Sequence, residues 1–511
     1  MNYYIFFTVF ISGMTTLAAE ISALRLLSYI YGTSNIVWSI IIGVIMFYLA
    51  IGYYLGGNFA DKNPTPAKYY QLLSISAVLT ASIPYISQPI LFHASQAITA
   101  FDIPIATGAF IGTLLIFALP ITILGCSSPY AIRLLLTHPD NSGSTAGKVY
   151  SLSTAGSIVG SFIPTLLTIP TYGTRNTYLL FGGILLITCI VGILLSSKKL
   201  NIASIVLITT YIAISQLPSG KIKSTAGLIY ESESAYNLIQ VVNKNNANYL
   251  LLNEGQGIHS VYNKDSPLTN STWDYYLAAP YFNKYPYSPS NIENILIIGL
   301  AGGTISNQHI EIYPNINITG IEIDPEIIAV GRKYFNLSRE NLTIIIGDGR
   351  ASLHKLKKTK YNVIAVDAYR LPYIPWHLTT KEFFLEAKSL LSSDGVLAIN
   401  VGRTSSDRRL IDSVTSTLLA VFSNVHIIDV PNTYNSLLVA TIKQTHRDNV
   451  LRNATLPTSK SHPILNKILS DTPNHIVPIN PNNVIFTDDK SPIEIITDSI
   501  LIKYLFEEGS T

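Results

Sequence analysis

Four short segments of this 511-residue chain carry the residues best suited to chemistry. The run NILIIGLAGGTIS, residues 294–306, is an apolar strand that ends in Gly299, with Gly302 and Gly303 ahead of an expected helix. Glycines at such a turn let backbone come close to a bound nucleoside or its phosphates. About twenty residues further on, NITGIEID puts Glu322 at the end of a second strand, the distance expected of an acid that binds ribose hydroxyls. The third segment, LTIIIGDGRASL, sets Asp348 and Gly349 in a Gly–Asp–Gly turn, where a carboxylate can accept a hydrogen bond from an adenine amino group. The fourth, YNVIAVDAYRLPYIPWHLTTKEFF, ends its strand in Asp367, at the edge where open α/β sheets bind ligands. Asp367 can orient an amine there and take its proton. Pro372 and Pro375 break the following chain into a loop holding Tyr369, Tyr373 and Trp376, whose ring faces can hold a sulfonium or ammonium cation. Each feature alone has an ordinary reading: a solvated strand-end acid, a turn aspartate, aromatics packed in a core. Their common order along the chain favours a nucleoside site, which NAD and adenosylmethionine proteins share.

These segments need a parallel sheet to bring them together. From residue 294 the rhythm of strand, turn and helix repeats, the sign of a sheet with helices on both faces. Residues 226–262 alternate as short antiparallel strands. Residues 444–482 are rich in Asn, Pro, Ser and Thr, and are expected to be loop with at most one helix, near 461–470.

The first 218 residues differ in kind. Mean hydropathy is positive overall and charged residues make up only 13% of the chain. Long apolar runs fit bilayer-spanning helices near 4–28, 35–58, 69–93, 105–135, 149–171, 175–196 and 200–217. The last is the weakest. Glycines such as Gly52, Gly56, Gly156 and Gly160 suit close helix contacts. Glu20 and Arg25 lie in or near the first span, where an ionisable group is either functional or snorkels to the interface; a spacing of five does not put them on one helix face. Cys126 and Cys189 sit in apolar runs, so buried free thiols are expected, with no disulfide framework and no zinc spacing. A net charge of +3 without a basic block gives no nucleic-acid surface. The expected architecture is a polytopic α-helical membrane domain of about seven spans (1–218), a small antiparallel β-domain (219–285) and a Rossmann-like α/β methyltransferase-type domain (286–511).

In the order of these motifs the chain resembles the spermidine synthase family of aminopropyltransferases, and more closely the branch fused to a membrane domain. The likeness covers about 226–500. It implies S-adenosylmethionine or decarboxylated S-adenosylmethionine as co-substrate, no metal, and release of methylthioadenosine. It assigns the glycine loop to Gly299–Gly303, the ribose acid to Glu322, the adenine contact to Asp348 and the first aspartate of a catalytic Asp-x-x-Asp to Asp367. Thr272, Trp273 and Asp274 fall on an upstream Tyr–His–Glu segment. Pro431–Tyr434 resembles a Pro–Thr–Tyr segment that makes Tyr434 a pocket residue. Gln256 matches a glutamine on the aminopropyl side, and TDDKSPIE, from Thr487, resembles the fused branch. Three positions depart from the pattern: Arg370 replaces the second aspartate, Gly302 an acid of the glycine loop, and Trp273 the histidine. With fewer carboxylates a dicationic amine loses charge partners, and Arg370 suits a carboxylate, as in the tail of intact adenosylmethionine.

Three readings follow. The first is aminopropyl transfer to an amine, with Asp367, Tyr369 and Tyr434 at the reacting end. The second is an enzyme acting on intact S-adenosylmethionine, by intramolecular cyclisation or cleavage or by methyl transfer. The third is a non-catalytic transporter or sensor that binds the nucleoside. The expected partners are the lipid bilayer and a small-molecule amine, with monomer and homodimer both open. Charge bias puts Lys62, Lys68, Arg133, Lys148, Lys198 and Lys199 on the cytoplasmic side with the N-terminus, and seven spans would then export the enzyme domain. The cytosolic co-substrate argues instead for a cytoplasmic catalytic domain on a prokaryotic-type cell membrane.

Overall fold

The computed structural model describes residues 2–32, 35–101, 105–136, 138–218, 222–223, 225–253, 257–313, 315–369, 373–455 and 462–508. The chain forms two compact units. One comprises Met1–Thr225, Glu231–Leu238 and Asn253–Gly255; the other comprises Ala226–Tyr230, Ile239–Leu252 and Gln256–Thr511.

The first unit contains α1 (Asn2–Tyr31), α2 (Asn35–Lys62), α3 (Pro66–Phe101), α4 (Ile105–Gly125), α5 (Ser127–Leu135), α6 (Ser142–Ile163), α7 (Ile169–Ser197) and α8 (Ile202–Gln216). Among the described residues, five stretches are long and apolar enough to cross a membrane: Asn2–Tyr31, Asn35–Lys62, Pro66–Ala94, Thr107–Leu135 and Ser142–Ser197. The last, 56 residues long, leaves helical geometry at Gly173 (φ 81°, ψ 168°). Helix α8 has 15 residues and rises about 22 Å, short of a hydrocarbon core of about 30 Å. Of the expected spans, 149–171 and 175–196 both fall within the fifth stretch, and 200–217 falls on α8.

Close helix contacts form where glycine permits them. A Cβ on Gly156 would stand 2.0 Å from the Phe10 carbonyl oxygen, and one on Gly52 would stand 2.2 Å from that of Thr122. Cys126 and Cys189 are buried free thiols. Arg25 neither faces Glu20 nor stands free. Its guanidinium donates to the Tyr236 carbonyl (2.7 Å), the Ser234 carbonyl and the Tyr29 hydroxyl (3.1 Å), and lies 3.8 Å from Glu233. The Glu233 carboxylate also accepts from the Thr174 amide, the Thr174 hydroxyl and the Tyr29 hydroxyl. The break at Gly173 frees that amide from the helix, which gives the carboxylate its donor.

The described residues after the helices include the strands β1 (Leu228–Glu233), β2 (Leu238–Lys244), β3 (Ala247–Leu252), β4 (Ile258–Asn263), β5 (Asn294–Ile298), β6 (Asn317–Glu322), β7 (Leu342–Ile346), β8 (Tyr361–Val366), β9 (Leu391–Gly402), β10 (Asn424–Asp429), β11 (Asn435–Thr441) and β12 (Ile476–Val477). The first four form their own antiparallel sheet in the order β1-β2-β3-β4. Asn245 and Asn246, both with positive φ, make the two-residue turn between β2 and β3. The expected antiparallel strands are present, and their residues are divided between the two units.

The remaining strands form one sheet, ordered β12-β10-β11-β9-β8-β5-β6-β7. Strands β5 to β9 are parallel, and β11 is antiparallel to both β9 and β10. The central strands are buried on both faces and rich in isoleucine and valine, as a parallel sheet under two helical layers requires. Helix Pro325–Tyr334 starts on Asp324, whose side chain accepts from the Glu326 amide (3.1 Å), with Pro325 in its first turn. The 444–482 stretch holds two short helices, Asp448–Ala454 and Pro463–Asp471, where at most one was expected. Burial decides this: Asn453 is 2% exposed and bonds the Tyr281 and Asn283 carbonyls and the Tyr287 amide.

Candidate active site

The chain runs outward from β5 in two directions, to β6 and β7 on one side and to β8 and β9 on the other. The carboxyl ends of β5 and β8 therefore form the topological switch point, where open α/β sheets take their ligands. Gly299 and Asp367 meet there. A Cβ on Gly299 (φ 88°) would stand 2.5 Å from the Asp367 carbonyl oxygen, so only glycine lets the two turns pass this closely. Gly302 donates its amide to the Ser260 hydroxyl (2.8 Å), and a Cβ there would meet Ser260 Cβ at 2.9 Å. Gly303 (φ 90°) starts helix Thr304–Ile312.

Glu322 ends β6 and is 7% exposed. One carboxylate oxygen accepts from the Ala301 amide (2.9 Å) and the other from the Asp324 amide (3.1 Å), so the acid is tied directly to the glycine loop. Burial pushes its carboxyl up to about 6, against the pull of those amides. Asp348 accepts from the amides of Arg350 (3.0 Å) and Ala351 (2.9 Å), and its other oxygen stands 3.0 Å from His377 Nε2. Burial raises this carboxyl, but the Ala351 amide, the His377 ring and the Arg350 amide outweigh it and hold it below the usual aspartate range. Gly349 packs on β5: a Cβ would stand 2.6 Å from Ile298 Cγ2.

Asp367 follows β8 and is partly buried. Trp273 Nε1 donates to one carboxylate oxygen (2.8 Å) and Asn400 Nδ2 to the other (3.0 Å). Burial raises its carboxyl, and these two donors offset part of the rise. Tyr369 is close by and donates its hydroxyl to the Asn400 carbonyl (3.2 Å). Tyr373 bonds Asp498, and Trp376 is 42% exposed. Asp274 is 2% exposed, and its carboxylate accepts from the Thr269 amide and hydroxyl, the Asn270 amide and Gln308 Nε2. Tyr434 is 53% exposed in the turn ahead of β11, where its carbonyl accepts from the Arg403 amide (2.7 Å). Gln256 and Arg370 lie outside the described residues.

Three contributors escaped the sequence reading. Asn400 could have been found as a polar residue near the end of the buried apolar run VLAINV. His377 follows Trp376, with no signal of its own. Arg350 grips Glu386 (2.6 Å) and Asp488 (2.7 Å), so the TDDKSPIE segment is bound to the turn that carries Asp348.

Residues 283–453 match the spermine/spermidine synthase domain. A probable polyamine aminopropyl transferase of Bifidobacterium longum (strain NCC 2705) is 32% identical over 320 residues, covering 59% of this chain and 70% of that protein. A polyamine aminopropyltransferase of Vibrio vulnificus (strain CMCP6) is 38% identical over 158 residues, 30% of this chain and half of the relative. The polyamine aminopropyltransferase 2 of Aquifex aeolicus (strain VF5) is 22% identical over 431 residues, covering 80% of this chain and 81% of the relative. A match of that extent must reach into the helical half. The chain therefore belongs to the spermidine synthase family of polyamine aminopropyltransferases and is a transferase of the aminopropyltransferase type.

Proposed function

We propose that this protein is a membrane-embedded enzyme that moves the aminopropyl group of decarboxylated S-adenosylmethionine to an amine and releases methylthioadenosine. The observation that carries this reading is the Asp367 carboxylate. It stands at the switch point between two neutral donors, and among the described residues no cation pairs with it. A carboxylate in that state can receive a cationic amine and its proton. The amine nitrogen attacks the methylene beside the sulfonium. A C–N bond forms, the C–S bond breaks with its electron pair going to sulfur, and the product leaves as an ammonium, the single released proton being the one Asp367 took from the incoming amine and passes on to solvent. The sulfonium is already a good leaving group, so the protein's work is positioning and proton removal.

The fit to the nucleoside rests on the glycine turn, on Glu322 for the ribose hydroxyls, and on Asp348 and Gly349 for the adenine. Each Glu322 oxygen accepts an amide and keeps lone pairs for hydroxyl donors. In this reading Asp274 holds the segment that presents Trp273, while Tyr369 and Tyr434 flank the cation.

One observation favours a second reading, in which intact S-adenosylmethionine attacks itself. Both oxygens of Asp367 already have donors, and Trp273 adds no charge, so a dicationic acceptor finds a single carboxylate. The cytosolic co-substrate supports a cytoplasmic catalytic unit on the cell membrane; strong activity of a phosphatase reporter fused to the C-terminus, which works only outside, would overturn that placement.

Asp367→Asn tests the main reading. It removes the proton acceptor and preserves the shape, so transfer should fall about 10²- to 10⁴-fold while methylthioadenosine binds as before. Unchanged transfer would refute it.

A further inference from the structure

Helix α1 holds an acid that none of the interactions above uses. Glu20 is 6% exposed. Among the described residues its carboxylate takes no hydrogen bond and no ion pair. Its oxygens are not sealed off, unlike the buried hydroxyls of Ser22 and Thr80. The helix has 30 residues and rises about 45 Å. Glu20 lies about 5 Å from its midpoint, inside a hydrocarbon core about 30 Å thick. An unpaired carboxylate at that depth is costly and calls for a compensating cation. Tyr53 of α2 stands within electrostatic reach of Glu20 and also of Tyr150 of α6. Both tyrosines are half-exposed. Glycines fix the helices that carry them. A Cβ on Gly56 would stand 2.5 Å from Cys126 Cα, which seats α2 at the junction of α4 and α5. One on Gly13 would stand 2.2 Å from the Ser153 carbonyl oxygen, which seats α6 on α1.

We propose that Glu20, with Tyr53 and Tyr150 lining its approach, is a second binding site, for the ammonium group of a small aliphatic amine. The carboxylate supplies the charge. The phenol rings supply faces for a cation, and their hydroxyls supply acceptors. One carboxylate matches one ammonium group, and the apolar helices around it suit an aliphatic tail. Arg25 does not compete for Glu20, because its guanidinium is taken up by Glu233 and by the Ser234 and Tyr236 carbonyls. The depth keeps lipid head groups away, so the amine is a free solute. This inference rests on the membrane-embedded part of the reading above and not on the transfer chemistry.

The experiment labels the full-length protein in lipid vesicles with dicyclohexylcarbodiimide, an apolar reagent that adds to carboxyl groups. The Asp367→Asn variant is used throughout, so that an amine held at the catalytic site does not count. The adduct is mapped by peptide mass spectrometry. Glu20 should be labelled, and n-butylamine, which is protonated at neutral pH, should slow that labelling several-fold. 1-Butanol, with the same tail and no charge, should not. Adding Tyr53→Phe, which keeps the ring, should preserve the protection, and adding Tyr53→Leu should weaken it several-fold. Labelling that butylamine leaves unchanged, or that butanol slows equally, would overturn the ammonium site. Absence of label on Glu20 would show a closed carboxyl and also overturn it. Equal protection with Tyr53→Leu would remove Tyr53 from the site as drawn. Recovery of the protein from the aqueous fraction without detergent would sink this inference together with the membrane reading beneath it, whereas methylthioadenosine release by the wild type tests the transfer chemistry separately.

Discussion

Trp273→Phe isolates one hydrogen bond and should move a pH profile. The indole nitrogen donates to Asp367 at 2.8 Å, and Phe keeps most of the ring while removing that donor. A hydrogen bond to a charged group contributes about 1.5–3 kcal/mol, and 1.36 kcal/mol corresponds to one pKa unit. Burial already raises the Asp367 carboxyl, and Trp273 is one of the two donors that restrain it. Removing the donor should raise it further. Because Asp367 is only partly buried, water recovers some of the loss, so we take the lower end and expect a rise of about one unit. Asp367 must be ionised to receive a proton, so a higher pKa costs activity on the acid side and leaves the alkaline plateau nearly unchanged. The assay is release of methylthioadenosine, with kcat/KM measured from pH 5 to 9 for wild type and variant. The acid limb should shift upward by about one unit. A limb that stays in place, or moves to lower pH, would refute the assignment of Asp367 as proton acceptor held by Trp273.

Two further perturbations follow from the same geometry. Burial lifts the Glu322 carboxyl to about 6 from an ordinary 4.5, so folding favours its protonated form: that contribution is fully present below pH 4.5 and is lost as pH rises to about 6. Glu322→Gln should therefore raise thermal stability at pH 8, change it little at pH 4.5, and weaken methylthioadenosine binding; lower stability at pH 8 with unchanged binding would contradict both roles. Asp488 grips Arg350, whose amide bonds Asp348, and it also accepts from the Thr380 hydroxyl (2.7 Å). Asp488→Asn should raise the KM for the nucleoside co-substrate several-fold with kcat nearly unchanged, and Asp488→Glu should recover part of the loss; a fall in kcat alone would show that this segment does not act through the Asp348 turn.

The strand ends and turns that bring the candidate residues together were legible because their signals are local. A strand that ends in glycine, an acid one strand later and an aspartate at the next strand end each show in a few consecutive residues. The parallel sheet then follows from alternating strands and helices. What stayed hidden depends on contacts between distant segments. Trp273 and Asp367 are 94 positions apart, and Arg350 and Asp488 are 138 apart. No periodicity encodes such pairs. Asp274 lies in a segment read as facing ligand, yet its carboxylate is taken up by Thr269, Asn270 and Gln308, because burying a charge requires donors on every side. Among the helices, apolar runs mark the long helices, but the break at Gly173 and the pairing of Arg25 with Glu233 depend on tertiary partners. The second helix in the 444–482 stretch was missed for the same reason: its buried Asn453 is satisfied by an aromatic segment about 170 residues away, which a polar composition cannot reveal.

The most direct test of the central claim is product analysis by mass spectrometry. The detergent-purified protein is incubated with either S-adenosylmethionine or its decarboxylated form, each with and without added amine. Aminopropyl transfer predicts methylthioadenosine together with an aminopropylated amine, from the decarboxylated donor only and dependent on the amine. Methylthioadenosine released from intact S-adenosylmethionine with no amine present would contradict it and assign the site to self-attack by the donor.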